Sequence, residues 1–306
     1  MSCTVALVVV TYNRVSLLKQ ALDAIFQSED IYSILHVIVV DNCSTDETPE
    51  FLRNYAEDKP QLNVLRTKKN LGGAGGFAFG ISSAIQSGAQ WIGLMDDDVL
   101  LHPDAVGKVI QHVEPGRLLA CMRVNAKGEV VERASRRYDL SSLFVLNPRK
   151  QSLCDVSCDP MTFQSLVPVE FASFEGLFFP RELVKEIGLP FSEYFVFGDD
   201  LDFCLRARQK GWRIYVVRDA RLTRLIDYDR RKVFSSWKAS YIWRNFFALH
   251  FVYGKNWFVR MKPFLYALLL LLKNPVKVRA VMLSLKEADK LSRIIKTRLS
   301  QWKEDL

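Results

Sequence analysis

The segment WIGLMDDDVLLHP (91–103) sets Asp96, Asp97 and Asp98 directly behind an apolar run. Adjacent carboxylates repel and an unpaired buried one is costly, so the triplet is either a solvated turn or a cluster with a cation in it. An Asp-x-Asp pair ending a buried strand can put two carboxylates on one divalent ion, and that ion can hold a diphosphate. Asp41 and Asn42 end another apolar run. Asp41 can accept the imide N–H of a uracil and Asn13 can serve a base or ribose, although DNCSTDET also reads as a capping sequence. NLGGAGGF (70–77) concentrates four glycines in five positions, which lets backbone N–H groups approach an anion closely. No Gly-Lys-Ser/Thr follows and the motif does not open the first strand–helix unit, so it is neither a P-loop nor a dinucleotide fingerprint. A tight turn is the plain alternative. FGDD (197–200) opens a helix, where the dipole favours an ionised carboxylate that can act as a general base, or simply steadies the helix.

These residues need a frame. Val5–Val10, Val37–Val40 and 91–95 are apolar runs and NVLR (63–66) reads as a further strand, all separated by helical periodicities, the pattern of a mostly parallel sheet covered on both faces. In such sheets ligands bind at the carboxyl ends of the strands, where TYN, DN and DDD fall. RVNAKGEVVER reads as a hairpin turning at Lys127-Gly128, 136–165 as irregular, 197–211 as a helix and RIYVV as a further strand. From Ser235 onward the chain reads as helices, giving an expected division into a catalytic domain at 1–234 and a helical region at 235–306.

The chain has 306 residues and a net charge of +8, unevenly spread: residues 231–306 hold +12 and residues 1–230 hold −4. No acidic residue lies between Arg231 and Lys286. That tail also holds aromatics and the run FLYALLLLL between Lys262 and Lys273, a pattern suited to a helix in the headgroup layer of an anionic membrane. Val281, Leu285, Ala288, Leu291, Ile295 and Leu299 form a helical stripe, for which packing on the body or on a second subunit is the competing reading. No nucleic-acid motif is present, and no apolar run reaches the length of a spanning helix. The amino terminus reads as a strand rather than a signal peptide. Six scattered cysteines point to a reducing compartment, and Cys154 and Cys158 lack the second pair of a zinc site.

Taken in order and spacing, VVVTYNR, VVDNCSTDET, GLMDDD and FGDDLDFCLRARQKGW resemble the family 2 inverting GT-A glycosyltransferases over roughly residues 4–225. NLGGAGGF is similar to the galactofuranosyltransferase branch, with rhamnosyltransferase relatives, and YIWRNFFAL (241–249) resembles the Tyr/Arg-Asn segment that follows the catalytic domain in such enzymes. The resemblance implies a Rossmann-like α/β fold with a helical C-terminal region, a UDP-sugar donor, Mn2+ or Mg2+, and one catalytic carboxylate. Thr11, Asn13 and Asp41 would hold the nucleoside, with Arg14, Asn70, Gly72, Gly73, Asp96 and Asp97 in the donor set. Asp96 and Asp98 would take the metal, Asp200 would be the base supported by Asp199, and Phe174, Glu175 and Asp202 would shape the acceptor side. The family often supplies a metal-ligating His after the strand that follows the base helix. Here Arg224 stands there, so either the metal keeps an extra water or Arg224 partly substitutes as a counter-charge to the diphosphate. The implied activity is transfer of galactofuranose to a lipid-linked cell-envelope glycan at the inner face of the cytoplasmic membrane, with homo-oligomerisation left open. A nucleotidyltransferase and a non-catalytic glycan- or nucleotide-binding module are the rival readings.

Overall fold

The computed structural model describes residues 3–226, 234, 237–273 and 278–304. The first half alternates strand and helix: β1 Val5–Thr11, α1 Val15–Phe26, β2 Ile34–Asp41, α2 Thr48–Ala56, β3 Leu62–Arg66, α3 Gly72–Gln86 and β4 Trp91–Asp96. Successive β1 side chains point to opposite faces, and each face has its own core. Ala6, Val8 and Val10 join one apolar cluster, Val5, Leu7 and Val9 the other. A strand covered on both sides must read as an unbroken apolar run, which is what the sequence displays.

Next come β5 Val99–Leu101, α4 Ala105–Ile110, β6 Arg117–Val124, β7 Ser135–Tyr138, β8 Arg149–Ser152, α5 Leu153–Val156, β9 Leu166–Val169, β10 Leu177–Pro180, α6 Arg181–Ile187, α7 Asp199–Gln209 and β11 Arg213–Arg224. The main sheet has nine strands in the order β3-β2-β1-β4-β10-β6-β11-β5, with β9 also on β11. It is mixed rather than mostly parallel. The β3-β2-β1-β4 half and the β6–β11 pair are parallel, but β10, β5 and β9 run antiparallel to their neighbours. Antiparallel pairing needs no crossover helix, so short connections suffice. Its consequence is functional: β10 enters between β4 and β6 from the carboxyl end, leaving Ser173–Glu175 at that end.

Two stretches are more ordered than their sequence suggests. Within 136–165, β7 and β8 pair as a two-stranded sheet. Strand β11 runs past RIYVV through a register shift between Val217 and Arg221, and its last residues pair with β5.

Helices α8 Lys238–Tyr253, α9 Trp257–Lys273 and α10 Val278–Glu304 complete the chain. Val281, Leu285, Ala288, Leu291 and Ile295 are buried in the cluster that also holds the sheet's Val8 and Leu94, so packing on the body accounts for that stripe. The expected boundary at 234/235 touches residue 235, outside the described residues. Among the described residues no helix is long and apolar enough to cross a membrane. All six cysteines are free thiols.

Candidate active site

Strand ends bring the acids together. β4 stops at Asp96, and the turn to β5 carries Asp97 and Asp98. Register then sets their neighbour: Arg224 is the β11 partner of Val99, and Leu225 N–H donates to the Asp98 carbonyl at 2.9 Å. On the other side Arg14, at the start of α1, donates through Nη1 to Asp97 Oδ1 (3.0 Å) and Asp98 Oδ2 (3.3 Å). Thr11 donates its hydroxyl to Asp97 Oδ2 at 2.7 Å, so both Asp97 oxygens are occupied. Asp98 Oδ1 is buried with no hydrogen-bond partner, and so is Arg224 Nε.

Behind the turn runs a buried chain of alternating charge. Arg123 on β6 makes a two-pronged bond to Glu132 (2.8 Å each) and pairs with Glu175 at 2.5 Å, while Glu175 also pairs with Arg224 at 3.4 Å. Burial works to raise the Glu175 carboxyl, but Arg123 and Arg224 outweigh it and hold Glu175 below its ordinary range. Glu175 thus stays ionised and opposes the triplet. Burial first, then Glu175 and the neighbouring aspartates, push Asp96 well up, with Arg224 acting the other way. Asp98 is raised by burial and Glu175 against Arg224, Arg14 and Arg123, and Asp97 by burial against Arg14.

At the carboxyl end of β2, Asp41 Oδ1 accepts from Ser44 N–H (2.8 Å) and Oδ2 is buried without a hydrogen bond, 3.3 Å from Arg66 Nη1. The Arg66 guanidinium is thus the charged neighbour of that oxygen. Asn13, at φ 54°, accepts from Thr45 N–H (2.7 Å) and steadies the loop. Asn42, which sequence reasoning left without a role, ties β2 to the glycine-rich turn: its amide accepts from Leu71 N–H (2.9 Å) and donates to Gly72 O (2.9 Å) and Asn70 Oδ1 (3.2 Å).

The glycines have mixed reasons. Gly72 has φ +71°, and a Cβ there would sit 2.1 Å from Phe195 O; at Gly76 it would meet Val10 at 2.6 Å. Close packing of α3 explains both. Gly73 alone of the four has nothing within 4 Å and keeps the expected freedom to face a ligand.

The second acidic pair opens α7. Its approach, Phe195–Gly198, has positive φ at Phe195 (64°), Phe197 (64°) and Gly198 (88°), backbone that side chains other than glycine resist. Helix α8 holds it. Asn245, 1% exposed, directs its amide nitrogen at the carbonyls of Tyr194 (3.0 Å), Val196 (2.9 Å) and Phe197 (2.7 Å). Arg244 donates to Asn245 Oδ1 (2.8 Å), fixing which end of the amide faces the loop, and to the carbonyls of Glu193 and Tyr194. Phe195 O in turn accepts from Ala74 N–H at 3.1 Å, so the loop also touches the glycine-rich turn. YIWRNFFAL signalled a motif, but not that it clamps this backbone.

Asp200 lines a cavity of about 380 Å3 with Arg123, Arg133, Arg149, Glu175, Arg224 and Asn245 among its walls. Its Oδ1 accepts from Leu201 N–H at 2.7 Å. Burial raises the Asp200 carboxyl, opposed by that bond and by Arg149; burial and Asp200 raise Asp199 further. Two expected acceptor residues lie elsewhere. Asp202 is fully buried, accepting from Arg206, Tyr194 and Tyr253. Phe174 packs between Phe77 and Phe203 in the core. Position along the motif does not reveal this: the facing of α7 turns Asp202 inward, and the bend before β10 packs Phe174 against two core rings.

The triplet fits a divalent cation: Asp98 Oδ1 is buried and lacks a donor, and the raised carboxyls of Asp96 and Asp98 mark a place short of positive charge. Among the described residues no three His, Cys, Asp or Glu side chains are grouped as ligands of one ion.

The chain matches the family model "Glycosyl transferase family 2" over residues 6–169. It is 30% identical over 214 residues to galactofuranosyltransferase GlfT1 of Mycolicibacterium smegmatis, covering 68% of this chain and 66% of that one. It is 23% identical over 265 residues to galactofuranosyltransferase GlfT2 of Mycobacterium tuberculosis, covering 80% and 40%. The chain thus spans just under two thirds of the length of GlfT1. Among solved structures it resembles a mannosyltransferase of Pyrobaculum calidifontis in complex with GDP-Man and Mn2+ (TM-score 0.57, 20% identity, 97% of this chain, 79% of that one). It also resembles GalNAc-T7 with UDP, GalNAc and Mn2+ (TM-score 0.61, 12% identity, 80% and 50%). At these identities the likeness concerns the fold, which is GT-A.

Two outcomes follow from the geometry. A carboxyl raised by folding contributes stability below its unfolded pKa that is lost as pH rises through the folded value. Asp98→Asn should therefore raise Tm of the metal-free chain by about 2–4 °C at pH 7.5 for ~1 kcal/mol relieved, a gain that vanishes near pH 4. A lower Tm at pH 7.5 would mean the arginines already balance the triplet. Asn245→Ala should speed amide exchange of 194–200 and of Ala74 by tenfold or more relative to the sheet, read by hydrogen-exchange mass spectrometry; unchanged rates would show the loop holds itself.

Proposed function

The chain belongs to glycosyl transferase family 2, and from that premise we propose that it is an inverting glycosyltransferase moving a hexofuranose from UDP-galactofuranose to a lipid-linked cell-surface glycan. The observation that carries this reading is convergence: Glu175 and Arg224, whose charges act on the buried acidic turn, also line the cavity that holds the raised carboxyl at the start of α7. Asp41 and Thr11, with Asn13 ordering its loop, would receive uridine. Asn70 and Gly73 would border the donor. Asp96 and Asp98 would hold Mn2+ or Mg2+, which supplies charge to stabilise the leaving diphosphate. Arg224 would add a fixed counter-charge on the same side, and Arg14 would keep Asp97 and Asp98 in place.

Asp200 then takes the proton of the acceptor hydroxyl as that oxygen attacks the anomeric carbon opposite the diphosphate. The C–O bond to the acceptor forms as the bond to the diphosphate breaks, inverting the centre. A carboxylate with a raised pKa is the better proton acceptor, and Asp199 supports it. Glu175 orders the acceptor side by holding Arg123 and Arg224. We place the work at the cytoplasmic face of the membrane, on an anionic surface reached by the C-terminal helices. Residues 1–234 would form the catalytic unit, completed by α8.

Asp200→Asn keeps shape but cannot take a proton, so kcat should fall by about 10²–10⁴ with UDP affinity within threefold by calorimetry. A variant above half of parental turnover removes Asp200 from this role. In the parent, kcat/KM should decline on the acid side at a pH above the ordinary carboxylate range, as Asp200 protonates. Donor choice is tested by competing UDP-galactofuranose, UDP-galactopyranose and dTDP-rhamnose against one acceptor: the furanose should give the highest kcat/KM and a β-linked product, because single displacement inverts the α-linked donor. A higher value for dTDP-rhamnose would move the chain to the rhamnosyltransferase relatives. Release of pyrophosphate instead of UDP would indicate a nucleotidyltransferase.

A further inference from the structure

The loop between β7 and β8 exposes its apolar side chains and is held in that state. Phe144 is 91% exposed, with Leu143 and Leu146 also at the surface. Free loops bury or shed such residues. This one is pinned from behind by α9: buried Lys262 donates to the carbonyls of Ser142 (2.5 Å) and Val145 (2.8 Å), and Tyr266 O–H donates to Leu146 O. Asn256 adds a bond to Ser141 O at 2.8 Å. Burying a lysine is costly, and burial lowers its pKa here. That cost maintains a rigid apolar display.

The outer face of α9 continues the display. Trp257, Met261, Phe264, Leu268 and Leu272 recur at helical spacing and all are exposed, whereas Val259, Tyr266 and Ala267 face inward. The surrounding chain has no acidic residue from Arg231 to Lys286, and Lys255 and Arg260 are exposed beside the stripe. An apolar, aromatic face within a basic, acid-free stretch matches an anionic bilayer in both chemistry and charge. The loop also leads directly into the cavity, since Asn147, Pro148 and Arg149 line the pocket that holds Asp200.

We propose that the 143–146 loop and the outer face of α9 form one lipid-docking lip that sets the mouth of the Asp200 cavity against an anionic bilayer. Phe144, Leu143 and Leu146 enter the headgroup–acyl boundary, the stripe of α9 lies beside them, and the basic residues face the headgroups. A membrane-anchored acceptor then reaches Asp200 past Asn147 and Arg149 while its apolar end stays in the bilayer. This last consequence rests on reading the cavity as the acceptor pocket; the docking itself does not.

The test uses the full chain with 1:1 phosphatidylglycerol:phosphatidylcholine vesicles at low salt. Expected is co-sedimentation that weakens as salt shortens the Debye length, with exchange protection confined to 140–150 and 257–272. Phe144→Asp should weaken vesicle binding about tenfold or more while leaving UDP affinity unchanged, because the side chain is already in solvent. Vesicle binding with protection elsewhere overturns the lip, as does Phe144→Asp with parental binding. A parental chain that ignores vesicles and sediments as a dimer, made monomeric by Phe144→Asp, assigns the face to a second copy instead. Docking as expected alongside an active Asp200→Asn variant would sink the catalytic reading and leave the lip standing.

Discussion

Excess negative charge at the carboxyl ends of the strands is the constraint around which this molecule is arranged. Asp96, Asp97 and Asp98 follow one another on a turn, and Glu175, whose charge acts on Asp96 and Asp98, lines a cavity together with Asp200. The protein answers with arginines fixed by other elements: Arg14 from α1, Arg123 from β6 and Arg224 from β11. The run Glu132–Arg123–Glu175–Arg224 is almost fully shielded at its inner end, where Arg123 and Glu132 are each 2% exposed. A buried pair of this kind adds little net stability, but losing one partner costs about 3–5 kcal/mol. The network therefore fixes geometry more than it adds stability, and it still leaves the triplet short of positive charge.

The same cleft draws its second half from a part of the chain that looks like an appendage. Asn245 and Arg244 lie on α8, beyond the sheet, yet they bind the carbonyls of the strained loop that introduces Asp199 and Asp200. Positive φ at two phenylalanines persists only where surrounding contacts over-determine it. Here those contacts come from α8 on one side and from Ala74 of the glycine-rich turn on the other. The glycine-rich turn and the loop before Asp199 are thereby joined, and the helical region shares one apolar core with the sheet.

Lys262 extends this division of labour outward. From α9 it reaches the loop that forms the outer edge of the Asp200 cavity, so successive C-terminal helices brace successive parts of one wall. Helix α10 packs its apolar stripe inward, whereas the more apolar, acid-free α9 keeps a stripe outward.

The sequence alone determined whatever depends on local periodicity and residue type. Unbroken β-branched runs announced strands buried on both faces, acids after those runs marked the carboxyl ends of the strands, and the ordered motifs named the family. The mixed sense of the sheet was not legible, because hydrophobic pattern does not encode strand direction. Nor were the roles of residues whose partners are distant in the chain. Asp202 and Phe174 sit within informative motifs, but facing turns them into the core. Gly72 and Gly76 looked like ligand-approach glycines, and only tertiary contact revealed Phe195 and Val10 against them. Arg224 reached Asp98 through strand register, and Asn245 reached the base loop through helix packing. Long-range pairing decided these cases, since a side chain's role depends on what the fold brings within about 3 Å of it.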